Sequence, residues 1–195
     1  MTNHRVVLGA LLLFGLTGCA FSSGVVKLNY QAPVDLPHGQ GDLTVGKIAD
    51  ERGREPDLLM NKINGYGQKT SGAYLAEKPV AEIVEGSVRE ALSSAGYRVD
   101  NPNAPKLLKG RLMSLDFEPI ASVFTVTLNT KLVVEFTVSD QQTQQILWKE
   151  FVTGLGSQKS GSMMSEDYIR PAFKLAMDDL LRKLVSSDSF NAAVK

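Results

Sequence analysis

The chain has 195 residues, 43% of them hydrophobic and 22% charged, enough apolar material for one packed core and too little charge for a disordered tail. Lysine plus arginine equals aspartate plus glutamate at 21 each, and this balance excludes a strongly basic nucleic-acid binder, because phosphate binding needs excess cations. The single cysteine, Cys19, excludes an intrachain disulfide, and with only two histidines, His4 and His38, no histidine-based metal site and no cofactor is expected.

His4 and Arg5 open the chain, and residues 6–16 form an apolar run interrupted only by Gly9 and Gly15. The run is too short to cross a bilayer, which takes about 20 apolar residues, but it suits the core of a secretory signal. It closes on Leu16, Thr17, Gly18 and Cys19, a sequence that resembles the bacterial lipobox. That resemblance implies cleavage before Cys19, a thioether from its sulfur to diacylglycerol, and further acylation of the palmitate type. Several acyl chains anchor firmly where a single one binds only marginally. Ala20 stands where an aspartate commonly retains lipoproteins at the inner membrane, so the same resemblance implies the outer membrane, with the domain in the periplasm. Residues 1–18 are then a signal peptide, 19–41 an acylated tether and edge segment, and 42–190 a single periplasmic domain.

Pro33, Pro37, Gly24 and Gly39 punctuate the tether, which has one β-like patch at 25–30. Residues 43–48 read as a strand, 50–57 as a charged hairpin loop and 58–64 as the returning strand. Residues 79–95 read as an amphipathic helix, because Val80, Ile83, Val84, Val88, Ala91, Leu92 and Ala95 recur at spacings of three and four. Glu85 and Arg89 form an i,i+4 pair on its other face, and Gly96 offers a left-handed cap. A turn at 101–105 precedes a strand at 107–117. Residues 124–138 alternate, with Phe124, Val126, Leu128, Leu132, Val134, Phe136 and Val138 facing one way, as in an antiparallel strand with one wet face. A turn at 140–143 leads to a partner strand at 146–153. A second amphipathic helix carries Ile169, Ala172, Phe173, Ala176, Met177, Leu180, Leu181 and Leu184, with Pro171 disturbing its start.

An internal similarity recurs at an offset of 89 residues. Gly65, Gly67, Ser71 and Gly72 match Gly154, Gly156, Ser160 and Gly161, and each set precedes an amphipathic helix. The fold class is therefore read as α+β, an antiparallel sheet with two helices packed on one face and a pseudo-symmetric ββα-ββα repeat. The segments 65–78 and 154–167 read as exposed, mobile glycine loops. Gly65, Gly67, Lys69, Ser71, Gly154, Gly156, Lys159 and Ser160 are accordingly the candidate partner-binding residues.

Catalytic patterns fail one by one. Gln68 stands where the phosphate loop needs glycine before Lys69 and Thr70, and no G-x-S-x-G elbow or S-x-x-K is present. Asp178 and Asp179 are consecutive on a helix and point apart. Asp116 and Glu118 share a strand face and are the best carboxylate pair, read as exposed strand residues. Trp148 and Tyr168 read as packing residues before ligand platforms. No catalytic residue and no enzyme activity is expected.

The lipobox at 16–19, the helix end Ala91-Leu92-Ser93-Ser94-Ala95-Gly96-Tyr97-Arg98-Val99, the alternating strand at 132–138 and the closing helix together resemble the YajG-type family of uncharacterised proteobacterial lipoproteins. In layout the chain is also similar to small periplasmic lipoproteins that assist envelope machines, an analogy of fold alone. The resulting expectation is an outer-membrane lipoprotein whose non-catalytic domain binds an envelope partner, protein or glycan, through a sheet edge or loops. The alternatives are a carrier of lipid or lipopolysaccharide, which needs an apolar cavity of several hundred Å³, and a cell-wall hydrolase using Asp116 and Glu118.

Overall fold

Fifteen residues of alternating character, Val126–Asp140, form a central strand of a four-stranded sheet. The computed structural model describes residues 22–63, 68–99, 101, 103–122, 125–160 and 165–195. In chain order the elements are β1 (Gly24–Val26), β2 (Leu43–Asp50), β3 (Leu58–Ile63), β4 (Lys69–Ala76), α1 (Val80–Ser94), β5 (Lys106–Ala121), β6 (Val126–Asp140), β7 (Ile146–Ser160), α2 (Glu166–Ser186) and α3 (Asp188–Val194).

The four-stranded sheet has the order β2-β5-β6-β7, with β2 parallel to β5 and the other pairs antiparallel. Leu128, Leu132, Val134, Phe136 and Val138 of β6 are all fully buried under the helices, as the alternation requires. The α+β class with two principal helices on one face is therefore what forms. The expected 58–64 return strand is a correction. β3 does not pair with β2 but joins β4 and β1 in a separate sheet of order β1-β4-β3. Arg52 forces this parting. Its side chain is 1% exposed and donates to Asp50, to the Leu58 carbonyl at 2.8 Å and to the Pro56 carbonyl at 2.7 Å, so the charged loop is a turn wound around a buried guanidinium.

The internal similarity does not produce a structural repeat. The expected glycine loop at 65–78 contains β4, and the one at 154–167 contains the last turnless stretch of β7 and the start of α2. Gly154 and Gly156 face α2. A Cβ at Gly154 would overlap the Ala176 carbonyl, and one at Gly156 would stand 2.7 Å from the Ala176 nitrogen. These glycines bring helix backbone onto strand backbone, and turn freedom is not their role.

Helix α1 ends as its sequence predicts. Gly96 takes φ +98°, its N–H donates to Ser93 at 3.0 Å, and the Tyr97 N–H reaches back to Leu92 at 3.0 Å, a Schellman cap. Helix α2 runs continuously through Pro171. The short α3 was not foreseen. The Ser187 hydroxyl caps it by accepting from the Phe190 N–H at 3.2 Å, and Phe190 packs at 5.3 Å on Trp148, whose indole N–H donates to Ser189.

The expected edge segment forms as β1, at the edge of the smaller sheet, and the chain then runs on as a strap between α1 and α2, with Val26 and Leu28 buried. The Leu28 N–H donates to Glu77 and the Ala32 N–H to Glu90, while Arg170 donates to the Lys27 carbonyl and the Tyr30 hydroxyl to Asp178 at 2.8 Å. Burial and that hydrogen bond push the Tyr30 phenol far above its ordinary range. Farther along, Arg182 holds Asp35, and the Gly39 N–H donates to Ala95.

The two kinds of glycine separate in a stability test. Gly154→Ala drives a methyl into the α2 backbone and should cost about 1–3 kcal/mol or more. Gly86→Ala, on α1 where a Cβ meets nothing within 4 Å, should stabilise by about 0.5–1 kcal/mol. Denaturant midpoints of the two variants check both signs.

Candidate functional site

Both edges of the four-stranded sheet are occupied by helix side chains. On the β2 side, the Ile48 N–H donates to Glu85 at 3.2 Å and Arg89 donates to the Val45 carbonyl at 3.0 Å. On the β7 side, the Leu155 N–H donates to Asp179 at 2.8 Å and Lys183 donates to the Thr153 carbonyl at 2.8 Å. Each pair is an i,i+4 acid–base pair, one member satisfying a strand N–H and the other a carbonyl. Free N–H and C=O groups at an edge invite another strand, and these contacts oppose that.

The face of this sheet turned away from the helices is different. Pairing places Asp116 opposite Lys131 and Lys131 opposite Leu155, and the next row is Glu118, Asn129 and Ser157. These six side chains, with Thr130 and Gly156 between them, line an open depression of about 510 Å³. The Ser157 hydroxyl donates to Asn129 at 2.9 Å. Two carboxylates, an ammonium, an amide and a hydroxyl over an apolar floor can exchange hydrogen bonds with a hydroxyl-rich or peptide surface. Nearby on β7, Phe151 and Leu155 are 62% and 56% exposed.

One charge cluster stiffens the same face. Glu135, 5% exposed, receives Arg111 from β5 at 2.9 Å and Lys149 from β7 at 3.2 Å. Desolvation raises the Glu135 carboxyl, but the hydrogen bonds from Arg111 and Lys149 outweigh it and hold the group below the usual glutamate range.

Of the residues chosen from sequence, Cys19, Gly65 and Gly67 lie outside the described residues. Lys69 and Ser71 are exposed on β4, Lys159 is exposed near the end of β7, and Ser160 is its last residue. Gly154 and Gly156 are taken up under α2. Since β4 and β7 belong to different sheets, the two segments do not form the symmetric pair of loops that their similarity implied. Asp116 and Glu118 do share a face, as read. Asn129, Lys131, Leu155 and Ser157 were missed, and the signal for them was the polar phase of the alternating strand continued onto its neighbours. Trp148 is a core residue, 7% exposed.

These elements make a mixed α+β domain with two sheets, helices packed on one face of the larger sheet and the other face open. The chain belongs to the family of uncharacterized lipoproteins (Lipoprotein_16), whose family model matches residues 49–195. Among solved structures it is similar to a Xanthomonas campestris protein of the DUF330 family, at 14% identity over 84% of this chain and 93% of that one, TM-score 0.61. It is also similar to a hypothetical protein of Chlamydia trachomatis, at 9% identity over 78% and 98%, TM-score 0.53. A minor lipoprotein of Acinetobacter baumannii aligns at 12% identity over 78% and 94%, TM-score 0.44. At these identities the first two share the fold. No curated protein matches the sequence. Among the described residues no helix is long and apolar enough to cross a membrane.

The Glu135 cluster sets a pH dependence. Because the folded-state value is depressed below the ordinary 4.5, its stabilisation is complete above that pH and is lost as pH falls through the folded value. Glu135→Gln should therefore lower the Tm at neutral pH, and the gap to wild type should close as the pH falls below 4.5 and through the depressed folded-state value. Thermal unfolding of both proteins across that range checks the sign.

Proposed function

We propose that this chain is an outer-membrane lipoprotein of the YajG type, acylated on Cys19, whose non-catalytic periplasmic domain binds an envelope partner, protein or glycan, through the outer face of β5, β6 and β7. The observation that carries this is the pairing of guarded edges with an unguarded face. Glu85, Arg89, Asp179 and Lys183 engage the strand edges, whereas Phe151 stands in solvent near the polar depression that the exposed Leu155 helps to line. A strand facing only water has no use for two large apolar side chains there, and such patches mark contact surfaces.

Two observations support this reading over the others. The space between helices and sheet is filled by fully buried side chains such as Leu43, Val84, Leu132, Phe136 and Leu180, which supports a binding face over an internal lipid carrier. Asp116 and Glu118 are exposed on one strand face, with Lys131 opposite Asp116, an arrangement suited to holding a partner by hydrogen bonds. The Lys69 and Lys159 set is retained as a second contact region because both side chains are exposed.

The test is in-cell crosslinking of the acylated protein. Phe151→Ser combined with Leu155→Ser should remove the crosslinked species while leaving the Tm within a few degrees of wild type. Lys69→Glu combined with Lys159→Glu should reduce the yield less. An undiminished yield from the β7 double variant, with an intact fold, would sink the outer-face reading and favour the two lysines.

A further inference from the structure

We propose that the partner of the outer face is a second copy of this chain, docked sheet to sheet about a two-fold axis that crosses the strands at Ser114, Val133 and Thr153. The proposal rests on the reading that this face is a contact surface, and it names what covers it.

The strand register lays the outer face out in rows. Ser114, Val133 and Thr153 form the middle row. On one side come Arg111, Glu135 and Phe151, and then Lys109, Thr137 and Lys149. On the other come Asp116, Lys131 and Leu155, and then Glu118, Asn129 and Ser157. Charge is divided unevenly between the two sides. Lys109, Arg111 and Lys149 outweigh Glu135 on the first, while Asp116 and Glu118 outweigh Lys131 on the second. Lys109, Asp116, Glu118 and Lys131 are all exposed. The middle row carries short side chains, which lets two such faces approach to the spacing of about 10 Å at which sheets pack.

One orientation of the axis makes opposite charges meet. An axis running along the strands would lay acid on acid. An axis lying between the faces and perpendicular to the strands reverses the strand direction and keeps each strand over its own counterpart. With the middle row on that axis, Arg111 faces Asp116 of the second copy, and Glu135 faces Lys131 of the second copy. Phe151 faces Leu155 of the second copy, so the two side chains that are 62% and 56% exposed cover one another. One row farther out, Lys109 faces Glu118 of the second copy. Every contact is made twice, as an isologous interface requires. Aligned sheets cross at about 30°, which about 7 Å from the axis displaces facing residues by about 4 Å, less than the strand spacing of about 4.8 Å. The rows beside the axis therefore stay opposed, and the long side chains of the next row span the remaining offset.

Five rows on three strands measure about 34 Å by about 14 Å, or about 1,000 Å² over both copies, the lower limit for a specific interface. Such a dimer is weak in free solution and gains from confinement of both copies to one membrane.

The test is crosslinking in intact cells. Acylated full-length protein carries Thr153→Cys as its one free thiol and is treated with a short bis-maleimide. Two tagged forms of different size are made in the same cell, so that a hybrid band identifies two copies. The hybrid should be severalfold more abundant than from Glu82→Cys, an exposed position on α1. Lys109→Glu or Glu118→Lys, added alone, should lower the yield severalfold, because each sets like charges against one another. The two variants made together on different tags should restore the hybrid, since each supplies the charge that the other has lost. Equal yields from Thr153→Cys and Glu82→Cys, or no recovery on exchange in variants of wild-type Tm, overturn the second copy as partner. In that event, a crosslink to another molecule that Phe151→Ser with Leu155→Ser removes would leave the contact face standing without the dimer. Its persistence in that variant would bring down both readings.

Discussion

Two missing side chains on β7 decide how this protein packs. With hydrogen in place of Cβ at Gly154 and Gly156, the backbone of α2 comes to rest on the backbone of the strand at Ala172 and Ala176. Other contacts depend on that approach. It lets Asp179 and Lys183 reach the outer groups of β7, seats Leu180 and Leu184 in the core, and leaves the far side of the helix to receive Tyr30 and the strap. A larger residue at either glycine pushes the helix outward and loosens contacts along its length, because close-packed interiors transmit displacement.

The edge contacts show one device used twice. An i,i+4 acid–base pair on a helix surface contributes little by itself in water. Turned toward a strand edge, the acid meets an N–H and the base meets a carbonyl, and the pair substitutes for the strand that would otherwise dock there. Glu85 with Arg89 does this for β2, and Asp179 with Lys183 does it for β7. On the face left open, Glu135 ties β5 to β7 across β6. A face tied in this way has little conformational freedom left to lose, and Phe151 and Leu155 stand exposed on it.

The strap at residues 24–41 is part of the fold and ties the two principal helices together. Its hydrogen bonds run to Glu90 of α1 and to Glu77 just before that helix on one side, and to Arg170, Asp178 and Arg182 of α2 on the other. Burial of Val26 and Leu28 fixes the strap against the body of the domain, where a flexible linker would stay solvated.

The sequence by itself determined whatever repeats locally. Residues at spacings of three and four placed α1 and α2, alternation placed β6 and its buried face, and Gly96 placed a helix end, because each depends on neighbours within a few positions. The candidate site was legible only in part. Asp116 and Glu118 share a face by strand period alone, but Asn129, Lys131, Leu155 and Ser157 reach them through the register of three strands. Only the tertiary structure decided the rest. A glycine pair reads the same along the chain whether it turns the backbone or bares it to a helix. A charged loop between two strands reads as a hairpin until Arg52 buries itself and sends them to different sheets. The seven residues of α3 are too few for a period, and the proline-bearing strap reads as a tether until two helices close on it. In each case the deciding partner lies far away in sequence, and no local pattern encodes it.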